Sequence, residues 1–153
     1  MADQQPIVKI DIKGLANLQL TLDKMQEDMA AKNIVASAYS ANKLMEEAIK
    51  ANISSDGLID TGLLQKSIAR KKVIYAQDAT VVIITGINKN VRGVDKNGNA
   101  RVPWRYANVL EPKYGFVKDA FDTVKQEVVD RFVKSLKAKV KKFEKNSSNP
   151  PAV

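Results

Sequence analysis

The side chains able to do chemistry in this 153-residue chain are carboxylates, lysines, arginines and tyrosines, because His and Cys are both absent. That excludes Ser-His-Asp and Cys-His constellations, disulfides and thiolate ligands, and it leaves a zinc site improbable. An acid–base site would have to be built from Asp, Glu, Lys or Tyr, such as Glu111 near Tyr106, and no partner residues accompany that pair. The chain is therefore expected to be no enzyme, with no catalytic, cofactor-binding or metal-ligating residues and no cofactor. Phosphate binding is the other chemistry within reach. The net charge is +8, and two segments carry the excess. Residues 131–145 hold seven Lys/Arg against one Glu, and residues 88–105 hold five Lys/Arg against one Asp. In the second segment Lys89, Arg92, Lys96, Arg101 and Arg105 are candidate contacts for DNA or for a neighbouring subunit.

These residues need elements to position them. Hydrophobic residues at 44% and charged residues at 27% are ordinary for a globular chain, and the length suits one domain, residues 1–145, with a flexible tail at 146–153. The start carries an acid early and no apolar stretch of signal-peptide type, and the densest apolar run, 81–87, is too short to cross a bilayer, so no membrane partner is expected. Residues 7–13 alternate Val8, Ile10 and Ile12 with polar residues, as a half-buried strand does, and Gly14 ends it. Leu15, Leu18, Leu22, Met25 and Met29 form one helical face; Ile34, Ala38, Ala41, Met45, Ala48 and Ile49 form another. A break near Asn33 stays open, and the small residues of 35–43 suit either a close helix contact or plain helix propensity. Residues 52–57 read as a loop.

Residues 69–76 and 80–87 then read as an antiparallel hairpin, with the more apolar second strand central in its sheet. Asn97-Gly98 marks a turn in a projecting basic hairpin or flexible loop, and its shortage of apolar residues predicts no packed role in the free subunit. Residues 104–111 form a short helix stopped by Pro112. Val117, Phe121, Val124, Val128, Phe132, Leu136, Val140 and Phe143 mark one face of a last helix over 116–145. Its second half is expected to exceed what a small core can cover and to meet a neighbouring subunit. The fold class is α+β: an N-terminal strand, long amphipathic helices on a small antiparallel sheet, the basic hairpin and a long C-terminal helix.

Three motifs in this order carry a resemblance. Gly14-Leu15 with Leu18 opens the chain. Asp60-Thr61-Gly62, Leu64, Ser67 and Ile68 follow the pattern Asp/Val-Thr-Gly-x-Leu-x-x-Ser-Ile. Tyr106-Ala107, Glu111, Gly115, Phe116 and Ala120 lead into the last helix. Together they resemble the neck and tail-completion proteins of tailed bacteriophages of the siphophage type, minor tail components that act in head–tail joining. The likeness covers residues 7–125. The run Pro112-Lys113-Tyr114-Gly115-Phe116 departs from the aromatic-Gly-Thr run and Pro common in that family.

The resemblance implies a structural virion protein: a ring subunit at the head–tail junction, hexameric or dodecameric. Its implied neighbours are head-closure or connector proteins, tail terminator or tail tube proteins, and genome DNA in the channel. It places the protein in the virion neck or tail, and in the host cytoplasm during assembly. A terminator capping the tail tube is a second implied role. The residues alone leave another reading open, a basic nucleic-acid-binding protein blind to sequence that grips phosphates with the 88–105 loop and the terminal helix. Within the motifs, Asp60 or Thr61 is expected to cap a short helix, Gly62 to allow the turn, and Glu111 to be a surface or interface acid.

Overall fold

The computed structural model describes residues 27–75 and 80–148. The predicted strand at 7–13, the Gly14-Leu15-Leu18 motif, most of the first helical face, the link at 77–79 and the end of the tail lie outside them. The protein mixes helices with small antiparallel sheets, as an α+β chain. Where one domain was expected over 1–145, the chain divides into two compact units, residues 42–128 and residues 1–41 with 129–153.

In the unit 42–128, helix α2 (Lys43–Ser55) buries Met45, Ile49 and Ile53, a stripe at intervals of four that faces one side. It runs into the stretch expected as a loop, because Ile53 is fully buried and the Ser54 hydroxyl donates to the Lys50 carbonyl at 3.0 Å. Gly57, at φ 67°, then ends it: the Leu58 amide donates to the Ile53 carbonyl at 3.0 Å and the Gly57 amide to Ser54 at 3.1 Å. This is a Schellman close, and Leu58 packs onto the core as its hydrophobic partner.

Helix α3 (Leu63–Ser67) leads directly into β1 (Ile68–Tyr75), which pairs antiparallel with β2 (Thr80–Ile87) from Ile68↔Ile87 to Tyr75↔Thr80. The hairpin is as expected; among the described residues β2 has one partner strand, and Ile84 is exposed. An apolar run cannot distinguish a strand between two others from one backed by helices. Strands β3 (Gly93–Val94) and β4 (Ala100–Arg101) make a second, short hairpin.

Helix α4 (Pro103–Tyr114) places Pro103 in its first turn, where a missing N–H is harmless. It continues through Pro112 instead of stopping there. Pro112 forfeits one amide bond to the carbonyl four residues back, whereas the exit is set by Gly115, at φ 64°, whose amide donates to the Glu111 carbonyl at 2.7 Å. The core of this unit joins Met45, Ile49, Ile53, Leu64, Ile68, Ala107, Phe116 and Ala120, the last two from helix α5 (Phe116–Ser148).

In the other unit, helix α1 (Glu27–Ala41) passes through Asn33 without a break; the helical run is interrupted only at Asn42. Leu136 and Val140 of α5 are buried there with Phe132, Phe143, Ala30 and Ile34. The second half of the α5 apolar face is therefore covered by α1 of the same chain, not left for a neighbour. The small residues of α1 do serve a close contact, since Ser37 is fully buried and accepts a hydrogen bond from the Ser135 hydroxyl at 3.2 Å. Helix α5 continues through residues 146–148, expected as tail.

Candidate functional site

The Asp60–Ile68 motif builds a helix entry. The N-cap of α3 is Gly62, in the left-handed region at φ 71°, which donates no side-chain cap. Thr61, one residue earlier, supplies the oxygen: its hydroxyl accepts from the Leu63 amide at 3.3 Å. Asp60 does not cap; its carboxylate stands 3.7 Å from the Lys96 ammonium, both well exposed, a pair worth little by itself. Leu64 and Ile68 are core residues, and Ser67 is fully buried. The Ser67 hydroxyl donates to the Leu64 carbonyl at 2.6 Å, and its own carbonyl accepts from the Asn88 amide at 2.7 Å, where β2 ends. A buried Ser at that position closes a short helix and fixes the strand beside it.

The Tyr106–Phe116 motif builds a helix junction. Ala107 and Phe116 are fully buried. Glu111, expected as a surface or interface acid, is half-buried and caps a helix: its two carboxylate oxygens accept the Val117 and Lys118 amides, each at 3.0 Å. Those amides belong to the first turn of α5, where no intrahelical acceptor exists and negative charge suits the helix dipole. Gly115 turns the chain between the helices, and Asn52 of α2 donates to the Phe116 carbonyl at 3.0 Å. A carboxylate five residues before the helix it caps is invisible to a search for N-caps, which looks next to the first turn.

The two motifs meet at a cavity of about 220 Å³. Asp60, Thr61, Gly62, Leu63 and Leu64 line one part of it, Tyr106 and Leu110 of α4 another, and Leu58, Asp95 and Arg101 complete it. Four leucines thus stand beside a phenol, a guanidinium and two carboxylates. Burial raises the Tyr106 hydroxyl above its ordinary pKa; the charge of Arg101 opposes that and the charge of Asp60 adds to it. The phenol therefore stays protonated in the neutral range, a donor and acceptor without charge. The volume is below the usual range for small-molecule sites and suits a single inserted side chain.

Asp95 is the residue that sequence reasoning passed over. One of its oxygens accepts the amides of Asn97 and Asn99, both at 2.9 Å. The other accepts the Asn99 side-chain amide at 3.1 Å and Arg101 through two nitrogens at 3.0 and 2.7 Å. The Asn99 amide, with the Asn99 side chain, Arg101 and Asn97, holds the carboxyl well below the usual carboxylate range despite its burial. The Gly98 amide donates to the Asp95 carbonyl and the Asp95 amide to the Asn99 carbonyl, at 3.0 and 2.9 Å, with Gly98 at φ 82°. The tip is thus a three-residue turn closed by a glycine bulge. Its Asp-x-Asn-Gly-Asn pattern was a legible signal: Asp commonly accepts the amide two residues on.

The basic residues of 88–105 are largely engaged close by. Arg101 grips Asp95, and Lys96 faces Asp60. The Lys89 ammonium lies 4.1 Å from the centre of the Trp104 ring, and the Arg92 guanidinium donates to the Lys89 and Val91 carbonyls. The segment is also seated, because a Cβ on Gly93 would stand 2.7 Å from a methyl of Leu63. The expectation of a loop with no packed role therefore fails: its few apolar residues are replaced by one buried carboxylate.

Among the described residues there is no group of three or more acidic side chains that could hold a metal ion, and no helix is long and apolar enough to cross a membrane. Comparison with protein-family models, curated proteins and solved structures finds no match.

Proposed function

We propose that the protein is a structural subunit of a tailed-phage particle, forming a ring at the head–tail junction in tail completion or head–tail joining. The observation that carries this reading is the convergence of the Asp60–Leu64 and Tyr106 motif segments, far apart in sequence, on one side-chain-sized cavity beside an ordered basic hairpin. The motifs that resemble the neck family otherwise form the frame under that cavity: Leu64, Ser67, Ala107 and Phe116 are buried, and Glu111 caps the last helix. A cavity with aliphatic walls and a rim of both charges suits a neighbouring copy's side chain better than a substrate. A ring requires such a patch to meet a different patch on the next subunit, head to tail, with closure by rotation.

Absence of turnover belongs to the same proposal. A general acid or base works best with a pKa near the working pH, and the carboxyls of Glu46 and Asp95 are shifted downward, away from it. The experiment is the mass of the purified full chain in solution. A stable closed ring is expected, in six or twelve copies. A monomer at every concentration, with no ring on addition of partner virion proteins, overturns the reading.

A further inference from the structure

We infer that the solvent face of α5 between Arg131 and Lys145 is a binding surface for the phosphate backbone of a nucleic-acid duplex, and that this face, not the 88–105 hairpin, supplies the chain's main polyanion contact. Arg131, Lys134, Lys137, Lys141, Lys142 and Lys145 are all exposed. At 3.6 residues per turn they fall within an arc of about 140°, and Lys134 to Lys145 spans roughly 16 Å along the axis. The opposite arc is the buried one, carrying Phe132, Leu136, Val140 and Phe143 against Ala30 and Ile34.

Three observations set this arc apart. No carboxylate among the described residues lies within 4.0 Å of any of its six cations, whereas Lys89, Arg92, Lys96 and Arg101 of the hairpin each have a partner in the fold. The acids nearby, Asp130 at its start and Glu144 at its edge, both have interactions of their own and are outnumbered. Apart from the adjacent Lys141 and Lys142, the cations recur at every third or fourth residue, a ladder of about 5 Å steps that follows a charged rail instead of converging on one anionic group. Over about 16 Å a duplex presents roughly five phosphates on each strand.

The same geometry argues against an anionic membrane. A basic amphipathic helix holds to a bilayer by inserting its apolar face. Here that face forms the core with α1, and no large hydrophobic residue between 129 and 148 is exposed. What remains outside is cationic, flexible and unable to read bases, so binding is sequence-blind and strongly dependent on salt. The inference does not depend on ring formation, whose test is the mass of the particle.

The experiment titrates the full chain into a short fluorescent duplex of arbitrary sequence and follows anisotropy as NaCl is raised from about 50 to 200 mM. With about six phosphate contacts, affinity is expected to fall by about a thousandfold across that range. Replacing Lys134, Lys137, Lys141 and Lys145 together by Gln keeps helix propensity and is expected to lessen the salt slope by about 3–4, while the four corresponding Arg replacements keep binding. Single variants Lys141→Gln and Lys145→Gln, each lessening the slope by about 0.9, give the same answer if the fourfold variant does not fold. No binding at the lowest salt, an unchanged slope in the Gln variants, or a larger loss from Lys89→Gln with Lys96→Gln overturns the assignment. Tighter binding to phosphatidylserine vesicles than to the duplex overturns it as well.

Discussion

At Gly62 one torsion angle decides whether a side chain is tolerated. A Cβ there would meet no atom within 4 Å, but the φ of 71° belongs to the left-handed region. Gly62→Ala is therefore expected to lower stability by about 1–2 kcal/mol through backbone strain alone, read by chemical denaturation. An unchanged midpoint would show the turn adopting another conformation freely. Glu111 is the second test at this scale. Glu111→Ala strips the acceptor from two first-turn amides of α5 and should destabilise by about 1 kcal/mol or more, with Glu111→Gln recovering part of that. Glu46 supplies a pH dependence. Burial acts to raise its pKa, but hydrogen bonds from Lys50 at 2.5 Å and Arg70 at 2.7 Å outweigh it, so the net shift is downward from 4.5. A carboxyl depressed in the folded state binds fewer protons there than when unfolded. Its contribution is thus present above pH 4.5 and lost as pH falls through the lower folded value. Glu46→Gln should flatten the acid limb of the stability curve, and an acid limb equal to that of the unaltered chain would assign the loss to other carboxyls.

Elements were legible where their pattern was periodic or their turn chemistry local. The apolar ladder from Val117 to Phe143 located α5, and the two strand-like runs located the β1–β2 hairpin. The failures have a common form, a polar or special residue satisfied within a few residues by a bond that residue propensity alone does not count. Ser54 stays helical by bonding its own backbone, Pro112 is carried by a helix whose stop is Gly115, and Asp95 turns a loop poor in apolar residues into an ordered hairpin. The motif residues proved easier to find than to interpret. Ser67 and Phe116 are framework, whereas Leu58, Leu110 and Arg101, which complete the cavity with Tyr106, belong to no motif. The hairpin gives a direct test at this scale. Asp95→Asn keeps the shape but weakens acceptance from Arg101 and two amides, so the Asn97 and Asn99 amides should exchange with solvent markedly faster while the helices stay protected. Equal protection in the variant would mean that Gly98 and the strand pairing suffice to hold the tip.

The whole molecule combines a cavity edged by both signs of charge in residues 42–128 with a cationic helix face in the other unit. The proposed assembly contact and the proposed polyanion contact thus rest on separate residues, and variants can separate them in turn. A ring of 16.9 kDa subunits would appear at about 100 kDa for six copies or about 200 kDa for twelve by native mass spectrometry or light scattering. Leu110→Arg puts a charge into the cavity lined by Leu58, Leu63 and Leu64, and Leu110 is only partly buried, so the core can hold while the pocket closes. If that cavity receives a neighbouring copy's side chain, this variant should run at the monomer mass with its helical circular dichroism unchanged. If ring closure and polyanion contact use separate residues, the Gln variants of the α5 arc should still close the ring. In phage-complementation assays the first variant should leave heads and tails unjoined. A Leu110→Arg chain that remains fully assembled would move the subunit contact away from the cavity and remove the main structural support for the ring reading.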